Sequence, residues 1–402
     1  MDHAASPADL DAARAILPWI AAWRQRLHRV PEVGLDLPVT RAILLEALAE
    51  LGLEPTLDRT TSGVTAVIRG GRPGPVVLLR ADMDGLPLTE ETGLPFTSGH
   101  AGRMHACGHD THVAMLLGAA KLLLATRETL AGSVLLMFQP GEEGFHGARY
   151  MLDEGLLDRA GDRATAAFAL HISSQYPSGT FALRPGPLLA SADRIQLTIT
   201  GRGGHASAPH MALDPITVAA ELIIALQLMV TRRVDIADPA VLTITRLEAG
   251  TTNNIIPEHA VLEGTIRTLS AESRAAMRDR LRQVADGVCA AHGASVAIEI
   301  TPGFPVTVND PAFTALVTEV AGAIAGPDAI IPMRSPIMGA EDFSYVIEQV
   351  PGAMSFVGAM PPGADPATVP HNHSNRVIFD EDAMAAGAAV YAAVARRVTS
   401  GG

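Results

Sequence analysis

His105-Ala106-Cys107-Gly108-His109-Asp110-Thr111-His112 is the stretch from which the rest of this chain can be read. It holds three imidazoles, one thiol and one carboxylate, in a chain with only 14 His and 2 Cys among 402 residues. Thiolate and neutral imidazole are preferred ligands of zinc and its neighbours, so the cluster predicts a metal site. Directly after it, 111–126 has a helical pattern, with Asp110 placed as its N-cap. Short apolar runs at 76–81 and 133–138 flank the cluster and the helix and read as buried strands. Further runs at 64–68 and 166–170 read the same way, and 12–27 and 40–51 read as helices, the latter stopped by Gly52. Strands that are apolar throughout and alternate with helices predict an α/β fold, a mostly parallel-core mixed sheet sandwiched by helices.

A second rhythm starts near Ser191. Alternating strands at 194–200, 241–247 and 260–269, helices at 215–230 and 271–292, and a strand at 295–300 give the order β-α-β-β-α-β of a ferredoxin-like unit. Its uncovered strand edge is a candidate pairing surface. The expected organisation is a discontinuous catalytic domain, 1–187 and 301–402, interrupted by a lid or dimerisation domain at 188–300. Helices and strands resume after Pro311, and 399–402 reads as a loose tail.

Composition narrows the function. The chain is 48% hydrophobic and 18% charged, enough for a large core, and its net charge of −13 argues against nucleic-acid binding. Two cysteines make no disulfide framework, and Cys289 reads as a packed side chain within a helix. Residues 1–4 show no signal-peptide pattern, and the longest apolar runs, such as 222–230, are too short to span a bilayer. The expectation is a cytoplasmic protein acting on small molecules, with no membrane partner.

In open α/β sheets ligands bind beyond the carboxyl ends of the strands. There the run 76–81 leads into Asp82 and Asp84, 133–138 into Glu142 and Glu143, and 166–170 into His171. Taken singly, the aspartates read as turn residues, the glutamates as a solvated pair and His171 as a buried structural histidine. Taken together with Cys107 and His109, they converge on one sheet edge. One thiol with scattered His and carboxylate donors is the pattern of a catalytic metal site rather than a closed structural one. Of adjacent Glu142 and Glu143, one can bind metal while the other moves a proton. Neither a serine nucleophile elbow nor a phosphate-binding loop is present.

Motifs along nearly the whole chain resemble the aminoacylase/carboxypeptidase metallopeptidases, in the branch of hippurate hydrolases and auxin-conjugate (IAA-amino acid) amidohydrolases. The matching segments are Arg26-Leu27-His28 with Pro31-Glu32 and Gly34, Leu79-Arg80-Ala81-Asp82-Met83-Asp84-Gly85-Leu86-Pro87, the cluster at 105–112, and Phe138-Gln139-Pro140-Gly141-Glu142-Glu143-Gly144. They continue with Leu170-His171, 201–209, Asn254-Ile255-Ile256-Pro257, Gly264-Thr265-Ile266-Arg267, 339–343 and His373.

The resemblance implies a zinc-exopeptidase-like fold with two divalent ions per subunit, Zn²⁺ or Mn²⁺, with Ni²⁺ and Co²⁺ as further candidates. Cys107, His109, Glu143, His171 and His373 would be the ligands, Cys107 as a bridge. Glu142 would be general base and acid, and Asp84 would orient a ligand histidine. His205 and Asn254 would be lid residues reaching substrate, the histidine often serving the partner subunit's site, and Arg267 would hold a substrate carboxylate. From its strand position alone, Arg267 reads as a surface residue.

Gly141 stands where many relatives have Ala, and relatives often carry Pro near Asn375. His371 and His373 compete for the last ligand position, and the spacing to Phe379 favours His373. His146 reads as a spare ligand or a substrate contact, and His105 and His112 as supporting or packing groups. The implied activity is hydrolysis of the amide of N-acyl amino acids, such as hippurate-like or N-acetyl compounds, by a homodimer or dimer-based tetramer. A dipeptidase, a carboxypeptidase or an N-acetyl-diaminopimelate deacetylase is the alternative within the fold. A non-catalytic metal- or ligand-binding protein is the alternative outside enzymes.

Overall fold

The computed structural model describes residues 5–400; the expectations for residues 1–4 and for 401–402 lie outside them. The chain forms two compact units. The larger holds residues up to Leu188, Val308–Ser335 and those from Asp342 onward, and the smaller holds Leu189–Thr307 and Pro336–Glu341. The return to the larger unit comes at Val308 rather than 301, because the strand Ser295–Pro302 keeps pairing as far as Pro302 opposite Asp193.

The larger unit is built on an eight-stranded mixed sheet. Its order is Pro55–Leu57, Val64–Arg69, Ala131–Gln139, Arg72–Asp82, Ala164–Pro177, Gly352–Met360, Phe181–Leu183, Ile330–Pro332. The four strands from Ala131–Gln139 to Gly352–Met360 are mutually parallel. Val76, Val77, Leu78 and Leu79 are all buried, as a strand covered on both faces requires. The helices His109–Ala125 and Ala383–Thr399 are buried along most of their length. They approach closely at Gly387, where an added Cβ would lie 2.1 Å from Met115 Sδ.

Three local expectations change. The segment 12–27 is two helices, Pro7–Ala15 and Leu17–His28, because Pro18 in the first turn of the second has no N–H to continue the ladder. Asp110 is not the cap of the long helix. That place belongs to Gly108, which takes φ 86, while the Asp110 carboxylate is drawn to Arg24 Nε at 3.0 Å and His28 Nδ1 at 2.9 Å. Thr399 is no loose tail; it ends the last helix, buried, with its hydroxyl donating to Ala395 O at 2.9 Å.

The sheet opens where the chemistry begins. Pairing between Arg72–Asp82 and Ala164–Pro177 stops at Arg80 opposite Ala169. Tyr391 Oη fills the gap, accepting from Leu170 N at 2.7 Å and donating to Arg80 O at 2.7 Å. Asp82 and His171 lie past this point, still within their strands, and Asp84, Glu142 and Glu143 follow the strand ends at the carboxyl edge.

The smaller unit is a four-stranded antiparallel sheet in the order Val241–Ala249, His259–Arg267, Asp193–Thr200, Ser295–Pro302. Its helices, Pro215–Arg233 and Ala271–Ala291, share one core with the sheet residues Ile195, Leu197, Ile199 and Leu262. The run 222–230 belongs to the longer of its apolar segments, the 19-residue helix Pro215–Arg233, which is long and apolar enough to cross a membrane by length and composition. The expectation based on the run alone understated it. Val218, Leu222, Leu226 and Met229 of this helix pack into the unit's core, whereas Ile224 and Leu228 are exposed. Cys289 is buried in the same core.

Candidate metal centre

Five donor side chains from four segments meet in the larger unit. Cys107 Sγ lies 3.4 Å from His171 Nε2 and 3.3 Å from His373 Nε2. His373 Nε2 lies 3.2 Å from Glu143 Oε1, which is 4.0 Å from His109 Nε2. Two ligand triads result, Cys107–His109–His171 and Cys107–Glu143–His373, each with donor atoms within 4.8 Å of one another. They share Cys107. Glu142, His109 and Glu143 form a third such grouping, which puts Glu142 beside the donors. His371 joins none of these; it is exposed and approaches Gln175 Nε2 at 3.2 Å.

The protein fixes which ring nitrogens can bind. His171 Nδ1 donates to Ile172 O at 2.8 Å, so its Nε2 lone pair faces Cys107. Ile172 N–H donates to His112 Nε2 at 2.7 Å, which forces the His112 proton onto Nδ1, hydrogen-bonded to Asp82 Oδ1. Both nitrogens of His112 are thereby spent, and it supports the centre without facing it. The Asp84 carboxylate accepts from Glu142 N at 3.0 Å and Glu143 N at 3.1 Å. Its Oδ1 is also 3.3 Å from His109 Nδ1, close enough for electrostatic attraction but out of hydrogen-bond alignment.

Behind this layer lie residues to most of which the motif reading gave no part in the centre. Arg80, fully buried, pairs with Asp82 Oδ2 at 2.8 Å and Asp342 Oδ1 at 3.2 Å, and its Nε donates to Gln139 Oε1 at 2.9 Å. A buried Arg in a parallel strand needs carboxylate partners, and that was the available signal. Asn372 had none, being a polar residue in a loop. Its Nδ2 donates to Cys107 O at 3.1 Å and Ile172 O at 2.9 Å, while His373 N–H donates to Ala106 O at 2.9 Å. Asn372 therefore ties together the segments that carry Cys107, His171 and His373. His28, Arg24 and Asp110 form a buried charged group, and His28 Nε2 reaches Glu90 at 3.2 Å. His105 is buried beside them, its ring 6.2 Å from that of His28.

The electrostatics call for a cation. Burial pushes the Cys107 thiol up, against the pull of His109. Burial also opposes ionisation of Glu143, yet His373 and then His109 hold its carboxyl below the usual range. Hydrogen bonds to Cys107 and Glu143 push His373 up to about 10. Burial, with His112 next, keeps His171 well below the usual imidazole range, so its lone pair stays available. His109 Nε2 is buried with no hydrogen-bond partner. An orphaned imidazole nitrogen, a thiol and carboxylates within one pocket fit divalent metal of intermediate softness.

The remaining candidates lie elsewhere. His146 is in the larger unit, its Nδ1 3.0 Å from Tyr345 Oη. His205, Asn254 and Arg267 are in the smaller unit. There Gly204–His205 pairs with Ile255–Ile256, and Ala206 N donates to Asn254 O at 3.0 Å, so His205 and Asn254 stand together. Arg267 ends the strand His259–Arg267, which begins just after the Ile255–Ile256 pair and runs about 26 Å at ~3.3 Å per residue. Burial lowers its basicity, offset in part by Asp193. The three residues therefore do not form one cluster within a single chain.

Comparison with known proteins sets this geometry in a family. Over 388 residues the chain is 38% identical to "Thermostable carboxypeptidase 1" of Saccharolobus solfataricus, covering 95% of this chain and 96% of that protein. It is 40% identical to "N-acetyl-L-cysteine deacetylase" of Bacillus subtilis, covering 83% of this chain and 79% of that protein. Among solved structures, a Bacillus subtilis protein described as a dinuclear metal binding peptidase from M20 family superposes with a TM-score of 0.82 at 34% identity, covering 96% of this chain and 99% of that one. The profile of Peptidase family M20/M25/M40 matches residues 78–397. The chain belongs to that family and is a hydrolase acting on amide bonds.

Proposed function

We propose that this protein is a metal-dependent amidohydrolase that cleaves N-acyl amino acids into a carboxylic acid and a free amino acid. The observation that carries the reading is the gathering of Cys107, His109, Glu143, His171 and His373 around a shared thiol, with Glu142 beside them. We assign these five as ligands of two divalent ions, Zn²⁺ or Mn²⁺, with Cys107 between the two triads. A bound metal pair supplies an acidified water and a Lewis-acidic clamp on the scissile carbonyl. Glu142 takes a proton from the attacking water and returns it to the nitrogen of the leaving amine, so the amide C–N bond breaks with protons balanced. Asp84 holds the backbone of both glutamates and faces His109, which keeps Glu142 and a ligand in fixed relation. His205 and Asn254 are proposed as substrate contacts, supplied by this chain or by a partner copy.

The test is turnover of a panel of N-acyl amino acids, including hippurate and N-acetyl compounds, by protein loaded with Mn²⁺ or Zn²⁺. Release of free amino acid that stops with chelator supports the reading; no turnover with full metal occupancy defeats it. The Saccharolobus solfataricus relative favours a second reading, a carboxypeptidase, so blocked dipeptides belong in the same panel. We further propose a homodimer formed through the smaller unit. Exposed Ile224 and Leu228 on one helix and the unpaired outer edge of Val241–Ala249 support that reading. Two free cysteines, 107 and 289, are in keeping with a reducing cytoplasmic location.

A further inference from the structure

Among the described residues, the non-glycine residues with a left-handed backbone are His146, at φ 61, and His373, at φ 71. Such a backbone is unfavourable for a residue with a Cβ and persists where the surroundings impose it, most often at functional sites. His373 belongs to the ligand cluster. His146 does not, so its conformation needs another account.

Its position is narrowly defined. Gly147 N–H donates to Gly141 O at 3.1 Å and closes the loop between them. Glu142 and His146 are the first and last residues inside that closure, so their backbones stand side by side. Ala148 N–H donates to Asp342 Oδ2 at 3.0 Å, which anchors the far side of the loop. His146 Nδ1 meets Tyr345 Oη at 3.0 Å, and the two rings lie 6.0 Å apart. Burial and then the nearby Arg149 lower the basicity of His146.

In the reaction assigned above, Glu142 hands a proton to the leaving nitrogen. That nitrogen must come within about 3 Å of the Glu142 carboxyl. The carbon of an amino acid's carboxylate is two bonds from the same nitrogen. The loop that carries Glu142 and His146 therefore stands at the amino-acid half of the substrate. We propose that His146 and Tyr345 form a specificity element that binds the carboxylate of the leaving amino acid. The proposal rests on the N-acyl amino acid reading. It adds a carboxylate contact on the loop that carries Glu142 to the one that the family resemblance implies for Arg267.

The test compares the metal-loaded enzyme and its variants on the best N-acyl amino acid and on the same compound with its carboxylate converted to carboxamide. His146→Ala is expected to raise KM for the acid about 10-fold and KM for the carboxamide by much less, as loss of a charge-assisted bond predicts. Tyr345→Phe should lower the preference for the acid by roughly 3-fold. His146→Gly takes the left-handed backbone freely; its Tm should equal or exceed wild type while the preference is still lost. A residue with a merely structural role would show the reverse, a lower Tm with the preference intact. Unchanged preference in His146→Ala and His146→Gly overturns the proposal, as does a wild type that cleaves acid and carboxamide equally. A wild type that cleaves no N-acyl amino acid instead defeats the reaction assigned to the centre.

Discussion

Each unit buries carboxylates, and the two treat them differently. In the smaller unit Asp193, fully buried as a side chain, receives bonds from Arg274 at 2.7 Å and Arg278 at 2.6 Å, with Gly303 N at 3.3 Å. Its charge is answered within the protein. In the larger unit the deeper layer is answered as well, by Arg80 for Asp82 and by Arg24 with His28 for Asp110. One layer further out the answering stops: His109 Nε2 is buried without a hydrogen-bond partner, and Glu143 shares its nearest cations with a thiol. One thiol, three imidazoles and a carboxylate gather there, a donor set that fits a divalent metal rather than an ion pair. By this contrast Asp193 reads as a structural ion pair and the Cys107 centre as a candidate metal site.

The comparison can be broken, and the largest effect expected is at Glu142. Glu142→Gln should lower kcat by roughly 10³–10⁴ while metal content by elemental analysis stays at the wild-type level. Retained turnover would remove Glu142 from the proton-moving role. Asp193→Ala should act the opposite way. It leaves Arg274 and Arg278 without their carboxylate and should cost about 3 kcal/mol in urea unfolding, with metal content kept. Loss of metal without loss of stability would erase the distinction between the two clusters.

A third measurement probes the answered layer of the larger unit through pH. Burial opposes charge on His28, but Asp110 and then Glu90 push it up to about 9 from 6.5. Because the folded value is the raised one, the stabilisation is complete below 6.5 and is lost as pH rises through 9. In chelated protein the loss over that window should approach about 3 kcal/mol, at ~1.4 kcal/mol per pK unit. His28→Gln should be flatter over the same range, and equal slopes would contradict the assignment. The smallest effect is expected at Asn372. Asn372→Leu removes both clips on Cys107 O and Ile172 O and should weaken metal binding by roughly 10–100-fold in chelator competition. Unchanged affinity would show that the His373 loop holds its shape without them.

Much of the fold was legible because the strands are buried on both faces. Runs such as 76–81 carry an apolar signal that few other structures produce. Helix boundaries were less so, since Asp110 has the chemistry of a cap yet serves a distant arginine and histidine, which no local pattern contains. The donor residues were visible as types at strand ends. What each one does came from the family resemblance, not from the local pattern. Asp82 and Asp84 are two residues apart on one strand exit, yet Asp82 faces Arg80 and His112 while Asp84 faces the backbone of Glu142 and Glu143. His171 as a lone histidine carried no signal beyond its strand, and Asn372 carried none at all.

The sequence by itself determined the layered α/β plan, the antiparallel insert and the stock of Cys, His and Glu donors, because periodicity and residue chemistry are local properties. The tertiary structure decided the rest. It set His171 Nε2 toward Cys107, spent both nitrogens of His112, left His371 beside Gln175 and brought His373 in, and closed the loop that holds Glu142 and His146. Those choices depend on backbone groups and loop closures from distant segments, and such partners meet only in the folded chain.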